Sequence, residues 1–299
     1  MNNVKKYFSI KDLENLSGIK AHTIRIWEKR YDLLSPCRTD TNIRYYSIRN
    51  LQKLLNITLL YSNGYKISKI ARIPEEKIPI LVREIVSESS VKSHSINAFK
   101  LAMINFDQSL FFNTYNALLG EKTFREIFYE VFIPLLNELG LLWQTDTISP
   151  AHEHFITGLI KQKILVNTEK LQAIEPTNKN KTFALYLPEN EIHEIGLLYL
   201  NYEITLRGYK SIYLGQTVPM ESLSDLQKYF STLTFVSYFT VAPNPKGIDK
   251  YIEDFRTQIN SDSSSELWIL GQQVKYLNLK PLPSTIRIYE SIEEVVKEL

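Results

Sequence analysis

The sequence predicts a multidomain fold: an all-α head, a helical bundle, and an α/β region built on a five-stranded, doubly wound parallel sheet. The 299 residues are too many for one ordinary core, so two or three domains are expected. From about residue 97 to residue 171, apolar residues recur at three- and four-residue spacing, which indicates helices. From residue 181 onward, strand-like apolar runs alternate with helical patterns, which is typical of a parallel sheet covered by helices.

Short helices joined by turns are expected near the N-terminus. Ser9 and Asp12 form a capping box that opens a first helix, and Gly18 ends it. A second helix spans residues 20–31. The polar stretch 35–46 contains Pro, Thr, Asp and Asn and suits a short hairpin. This order of elements predicts a winged helix-turn-helix.

Two polar stretches, residues 87–95 and 173–181, are expected to be linkers. They divide the chain into domains at residues 1–75, 95–173 and 181–299. Ser149 and Pro150 mark the start of a long helix in the second domain. The third domain has five expected strands, at residues 182–187, 211–214, 234–239, 267–270 and 285–289.

The composition is that of a globular protein, with 44% hydrophobic and 23% charged residues. The longest apolar stretches fall short of the roughly 18 residues that a membrane span needs, and the N-terminus lacks the apolar core of a secretory signal. The single cysteine, Cys37, excludes an internal disulfide framework and argues against thiolate metal sites. We therefore expect a cytoplasmic protein.

The charge distribution is uneven. Residues 1–74 contain 14 Lys and Arg against 5 Asp and Glu, whereas the remainder contains 21 against 28. A basic head on an acidic body indicates that the head meets a polyanion. A merely solvated basic surface is the alternative.

The second helix has two distinct faces. Ile24, Trp27 and Tyr31 share one stripe and are expected to be buried. His22, Arg25 and Lys29 share another, cationic face. A helix that enters a major groove needs this division, since one side packs on the head and the other meets DNA.

Three motifs follow one another within residues 6–74: Phe8-Ser-Ile-Lys-Asp-Leu, Thr23-Ile-Arg-Ile-Trp-Glu-Lys-Arg-Tyr31 and Arg44-Tyr-Tyr46-Ser. With these motifs in register, the segment resembles the MerR family of transcription regulators. The resemblance implies double-stranded operator DNA as a partner. By that resemblance Thr23 and Arg25 contact DNA from the second helix, and Arg44 and Tyr46 contact it from the wing. The basic residues Arg30 and Arg38 are two further candidate DNA contacts.

A Glu-x-His-x-x-Gly motif, Glu191 to Gly196, follows the first expected strand of the third domain. His193 can offer one ring nitrogen to a metal ion, and Glu191 can accept the N–H of the other nitrogen. Ligands of doubly wound sheets bind beyond the carboxyl ends of the strands. The alternative interpretation is a surface-loop histidine capped by a neighbouring carboxylate.

This motif, with Gly215, Ser237 and Gly271 at later strand ends, resembles the cobalamin-binding domain. The resemblance implies that His193 coordinates cobalt from below and displaces the dimethylbenzimidazole tail. It also implies a tail slot between sheet and helix, lined by Gly215, Ser237 and Gly271. Gln272 departs from the family, which usually has a second glycine there.

The phrase from Trp143 to His154 resembles the Trp-x9-Glu-His motif of cobalamin-binding regulators of the CarH/LitR type. By that resemblance Trp143, Glu153 and His154 face the group above cobalt, typically adenosyl or methyl. Light-sensing members carry a histidine directly after the tryptophan, where this chain has Gln144. The alternative is that Trp143 belongs to the core and that Glu153 and His154 cap a helix.

The sequence thus predicts a non-enzymatic, DNA-binding transcription regulator that senses adenosylcobalamin or methylcobalamin, with light dependence left open. One small head makes few DNA contacts, so a homo-oligomer, dimer or tetramer, is expected. Three alternatives remain: a regulator of the same architecture without cobalamin, a corrinoid carrier for methyl transfer, and a general nucleic-acid-associated protein.

Overall fold

The chain divides into two units, Met1–Ile160 and Lys161–Leu299. The structure, a computed structural model, describes residues 7–78, 81–82, 88–144, 147–260, 265–278 and 281–299; for residues 88–93, 141, 143 and 144 it describes the backbone alone. No helix in these ranges is long and apolar enough to cross a membrane.

The head is a helix-turn-helix with a small antiparallel sheet. Its elements are β1 (Tyr7–Phe8), α1 (Ile10–Ser17), α2 (Ala21–Tyr31), β2 (Cys37–Arg38), β3 (Arg44–Ser47), α3 (Ile48–Ser62), α4 (Ile67–Ile70) and a 3-10 turn (Glu75–Lys77). The capping box of Ser9 and Asp12 is present, and Gly18 ends α1 with a φ of 75°. The expected hairpin is β2 with β3, but β3 also pairs with β1, so the sheet order is β1-β3-β2.

The middle of the chain is helical throughout. It comprises α5 (Glu88–Asn105), α6 (Gln108–Leu119), α7 (Phe124–Ile127), a π-helical turn (Phe128–Phe132), α8 (Ile133–Gln144) and α9 (Pro150–Gln172). The helix expected from Ser149 and Pro150 therefore forms. The prediction that residues 87–95 link two domains is wrong from Glu88 onward, where the chain is helical, because polar composition alone does not distinguish a linker from a polar helix.

The C-terminal region has the expected doubly wound sheet. Its strands are β4 (Asn178–Pro188), β5 (Tyr209–Val218), β6 (Thr234–Tyr238), β7 (Glu266–Leu270) and β8 (Ile286–Tyr289), and its helices are α10 (Ile195–Leu206), α11 (Met220–Gln227), α12 (Ile248–Gln258) and α13 (Ile292–Glu298). The strand order is β5-β4-β6-β7-β8, and every pairing is parallel. All five expected strands are confirmed, but β4 begins at Asn178, inside the stretch 173–181 that was expected to be a linker, because polar residues at an end of a strand still pair with its neighbour.

The strand register brings three loops to one edge of this sheet. Tyr186 of β4 pairs with Ser237 of β6, and Ser237 pairs with Ile269 of β7. The residues that follow β4, β6 and β7 therefore emerge side by side at the carboxyl edge, where doubly wound folds bind ligands.

Candidate functional site

The cationic residues of α2 lie at the surface, as the two-faced pattern requires. Arg25 and Arg30 are exposed, and Thr23 is half-buried. Arg30 also lies over the ring of Tyr31, with its guanidinium carbon 5.4 Å from the ring centroid. Trp27 is buried and packs edge-on against Tyr61, so its expected place in the core is confirmed.

The wing presents two further arginines. Arg38 is exposed and donates from Nη1 to Oδ1 of Asn42 at 2.6 Å, in the turn between β2 and β3. Asn42 has a φ of 64°, which an asparagine tolerates in a tight turn. Arg44 is half-buried, with part of its side chain facing Glu28 of α2.

Tyr46 differs from the expectation that it meets DNA. It is fully buried, and its hydroxyl donates to Oε1 of Glu28 at 3.1 Å. Burial raises the pKa of this phenol, and the nearby negative charge of Glu28 raises it further. A side chain with no exposed surface does not contact DNA directly. The predicted DNA contact of Tyr46 is therefore wrong, and its hydroxyl instead holds Glu28 inside the head.

Glu191 and His193 form a hydrogen-bonded pair in the loop after β4. Glu191 Oε1 lies 2.6 Å from His193 Nδ1 and accepts the backbone N–H groups of Ile192 and His193 at 2.9 Å each. The carboxylate is fully buried, whereas the imidazole is 53% exposed. An ionised carboxylate only accepts, so Nδ1 carries the proton and Nε2 carries the lone pair in the neutral ring.

The second oxygen of Glu191 ties this loop to the loop after β6. Oε2 accepts the backbone N–H groups of Thr240, Val241 and Ala242 at 2.6 to 3.0 Å. Burial raises the pKa of this carboxyl, but the hydrogen bonds from His193 and from residues 241 and 242 outweigh burial and lower the pKa to about 2. The carboxylate therefore stays ionised at neutral pH and holds both loops.

The small residues at the strand ends have different surroundings. A Cβ on Gly215, whose φ is 89°, would meet only Tyr213, at 3.7 Å. A Cβ on Gly271, whose φ is 110°, would lie 2.4 Å from the carbonyl oxygen of Phe239. Gly215 thus borders open space, whereas Gly271 is required by the close approach of two backbones.

The space around the neighbouring positions Ser237 and Gly196 is filled by other parts of the chain. Ser237 is fully buried and donates to the carbonyl oxygen of Tyr186 at 2.9 Å. A Cβ on Gly196 would lie 2.5 Å from the ring of Tyr238. Gln272, which the sequence suggests as an obstacle, is exposed. Tyr238, not Gln272, therefore occupies the space beside the histidine motif.

The middle motif is only partly described. Trp143 and Gln144 lie at the end of α8, but their side chains are outside the described part of the chain. His154 is 75% exposed, and its Nδ1 lies 2.5 Å from Oε2 of Glu153 in the first turn of α9. Neighbouring His152 is buried and is bonded through Nδ1 to Ser149.

The loop between α8 and α9 is hydrogen-bonded to the head. Thr147 is fully buried, and its hydroxyl accepts from the side-chain amide of Asn15 in α1 at 2.9 Å. Lys100 of α5 donates to the backbone carbonyl of Leu16 at 3.3 Å and pairs with Glu138. Among the described residues, these polar contacts help to connect the helix-turn-helix with the helices that follow it.

Sequence reasoning missed two carboxylates that organise these sites. Glu28 holds Tyr46, and its signal in the sequence is that it is the one acidic residue of the basic helix α2. Glu194 accepts from the hydroxyl of Tyr213 at 2.7 Å and pairs with Lys161. Nothing in the local sequence distinguishes Glu194, because both of its partners are distant along the chain.

The chain thus combines a basic helix-turn-helix head that carries a wing with a helical region and a parallel sheet that has a loop histidine at its carboxyl edge. Residues 8–77 match the family model of the MerR HTH family regulatory protein. Residues 95–166 match that of the B12 binding domain. The chain is a DNA-binding transcription regulator that combines these two domains, and it is homologous to the CarH and CarA repressors.

Two repressors match most of this chain in sequence. It is 26% identical to the HTH-type transcriptional repressor CarH of Myxococcus xanthus over 73% of this chain and 74% of that protein. It is 24% identical to CarA of the same organism over 72% and 70%, respectively. The fold also resembles the monomethylamine corrinoid protein of Methanosarcina barkeri, with a TM-score of 0.57 and 14% identity over 69% of this chain and 97% of that one.

Proposed function

We propose that this protein is a cytoplasmic transcription regulator that binds a cobalamin through His193 and changes its occupancy of operator DNA in response. The observation that carries the proposal is the pair of Glu191 and His193. A buried carboxylate holds the exposed imidazole in the tautomer whose Nε2 carries a lone pair, as the histidine ligand of a metal requires.

The donor set fits a corrinoid at the carboxyl edge of the sheet. His193 would bind the cobalt through Nε2, Glu191 would orient the imidazole, and Gly215 would border the bound group. The cofactor would supply a cobalt ion whose upper ligand is adenosyl or methyl. The protein's contribution is to hold one imidazole rigidly and to keep its Nδ1 protonated.

We assign the upper side of the ligand to the motif of the middle region. Trp143, Glu153 and His154 would face the adenosyl or methyl group, and the adjacent side chains of Glu153 and His154 would make that side polar. Gln144 stands where light-sensing regulators of this type have histidine, so we propose that a response to light, if present, does not use that position.

We assign DNA contact to the exposed cations of the head. Arg25, Arg30 and the half-buried Thr23 would meet the major groove from α2. Arg38 and Arg44 would reach neighbouring phosphates from the wing, where a guanidinium binds two oxygens at once. The proposed domain limits are residues 1–75, 95–173 and 181–299, with the two later domains bringing heads together as a dimer or tetramer.

The visible spectrum of the protein after incubation tests this function. The full chain is incubated in the dark with adenosylcobalamin or methylcobalamin, desalted, and measured before and after illumination. We expect retained corrinoid with the spectrum of histidine-ligated cobalt, and His193→Ala should lose that spectrum. His22→Ala, an exposed histidine of α2, is the matched control. A wild-type protein that retains no corrinoid would refute the proposal.

A second candidate is a regulator of the same architecture that responds to another ligand or a protein partner instead. The ring of Tyr238 against Gly196 favours it, because this ring fills space beside the histidine motif. If the wild type retains no corrinoid whereas Tyr238→Ala does, the ring is the obstacle. Retention by the wild type would rule out the second candidate.

A further inference from the structure

One carboxylate of the head connects the DNA-facing helix with the wing. Glu28 lies on α2, and only 8% of its side chain is exposed. Its Oε1 accepts the hydroxyl of Tyr46 at 3.1 Å, and its Oε2 lies 3.6 Å from Nε of Arg44. Glu28 therefore contacts two residues of β3 from the neighbouring helix.

The strand that Glu28 contacts is the central one of the head's sheet. Arg44 and Tyr46 are two residues apart on β3, so their side chains share one face. Because the sheet order is β1-β3-β2, the placement of β3 also determines that of β2, which carries Arg38 across from Arg44. A contact that fixes β3 against α2 thus sets the position of the whole wing.

The environment of Arg44 is divided between the head and the surface. Its Nε and the Oε2 of Glu28 are both buried, and neither has a hydrogen-bond partner among the described residues. The side chain is nevertheless 39% exposed, and that exposed surface belongs to its other atoms. One part of the side chain thus faces a buried opposite charge while the rest remains accessible.

We propose that Glu28 is a positioning residue that holds Arg44, and with it the wing, in the orientation that DNA binding uses. The inference rests on the proposed DNA surface. A free arginine side chain loses much rotamer freedom when it binds, and one that is already held loses less. The hydroxyl of Tyr46 acts in the same direction, because it keeps the carboxylate facing β3.

The alternative role for Glu28 is general stabilisation of the head, and a double-mutant cycle distinguishes the two. The full chain and its Glu28→Gln, Arg44→Ala and double variants are titrated with a duplex that the protein itself enriches from a random library of about 30 base pairs, two to three helical turns. Glutamine keeps the size and one acceptor, but it removes the charge that faces Arg44.

We expect Glu28→Gln to weaken binding about 3- to 10-fold, the cost of ordering one free side chain. In the Arg44→Ala background, Glu28→Gln should weaken binding little further, because the effects of substitutions at interacting residues do not add. Tyr46→Phe, which removes one hydroxyl, should follow the same pattern. Glu75→Gln, which removes an exposed carboxylate paired with Lys53, is the matched control and should leave binding unchanged.

Each other outcome overturns a stated part of the reasoning. Equal weakening by Glu28→Gln in both backgrounds would mean that Glu28 acts through the fold and not through Arg44. Unchanged or tighter binding by Glu28→Gln alone would mean that the carboxylate does not position the wing. Unchanged binding by Arg44→Ala would instead remove the wing from the proposed DNA surface.

Discussion

Replacing Glu191 with glutamine should loosen the carboxyl edge of the sheet. The wild-type carboxylate accepts N–H groups from its own loop and from residues 240–242 after β6. A glutamine amide keeps the shape of the side chain, but its nitrogen is a donor. One of the two loops would then face a donor in place of an acceptor, and buried N–H groups would lose their partner.

The size of the effect follows from the lowered pKa of Glu191. Hydrogen bonds outweigh burial and lower this pKa from 4.5 to about 2. A lowered pKa contributes stability that is present above pH 4.5 and is lost as the pH falls towards 2. The contribution is about 3 kcal/mol in all, and about 2 kcal/mol of it is lost by pH 3. Glu191→Gln should lack this contribution at every pH.

Hydrogen exchange of the amides at 240–242 measures this directly, because they donate to the carboxylate. Because His193 accounts for part of the lowered pKa, these amides should lose about 1 to 2 kcal/mol, which makes local opening about 5- to 30-fold more frequent and accelerates exchange accordingly. Glu189→Gln, which changes an exposed carboxylate of the same loop, should leave exchange unchanged. Wild-type exchange rates at 240–242 in Glu191→Gln would show that the carboxylate does not hold the second loop.

Three further predictions concern other parts of the chain. Gly271→Ala should lower the free energy of unfolding by about 2 to 4 kcal/mol, because alanine is strained at this φ and its Cβ would clash with the carbonyl of Phe239. An unchanged urea midpoint would contradict this. Arg25→Ala should make the log–log salt dependence of DNA affinity shallower by about 0.9, the slope of one phosphate contact, and an unaltered slope would place Arg25 away from phosphates. Asn15→Ala removes the hydrogen bond to Thr147 and should lower stability by about 1 kcal/mol, which a melting temperature equal to that of the wild type would refute.

The elements of the fold were largely predictable because their signals are local. The capping box of Ser9 and Asp12 involves residues three apart, and Gly18 ends α1 through its own φ. The five strands follow from apolar runs of a few residues each. The pairing of Glu191 with His193 was predictable for the same reason, since the two residues are close neighbours in one loop.

The surroundings of the site residues were not predictable in this way. Arg44 and Tyr46 are two positions apart and both were expected at the DNA, yet one is partly exposed and the other fully buried. Ser237 and Gly271 were expected to border a ligand, and the structure surrounds them with the chain's own backbone. Which groups surround a residue depends on elements that are remote along the chain.

The sequence by itself determined the kind of protein: a basic winged head, a helical middle and a parallel sheet with a loop histidine. It did so because charge, periodicity and capping act over a few residues. Only the tertiary structure showed that Glu28 reaches the wing and that Glu191 reaches the loop after β6, some 50 residues away. These contacts depend on the order of the strands and on how closely Glu28 of α2 approaches β3, which are set only when distant segments bury their apolar faces together.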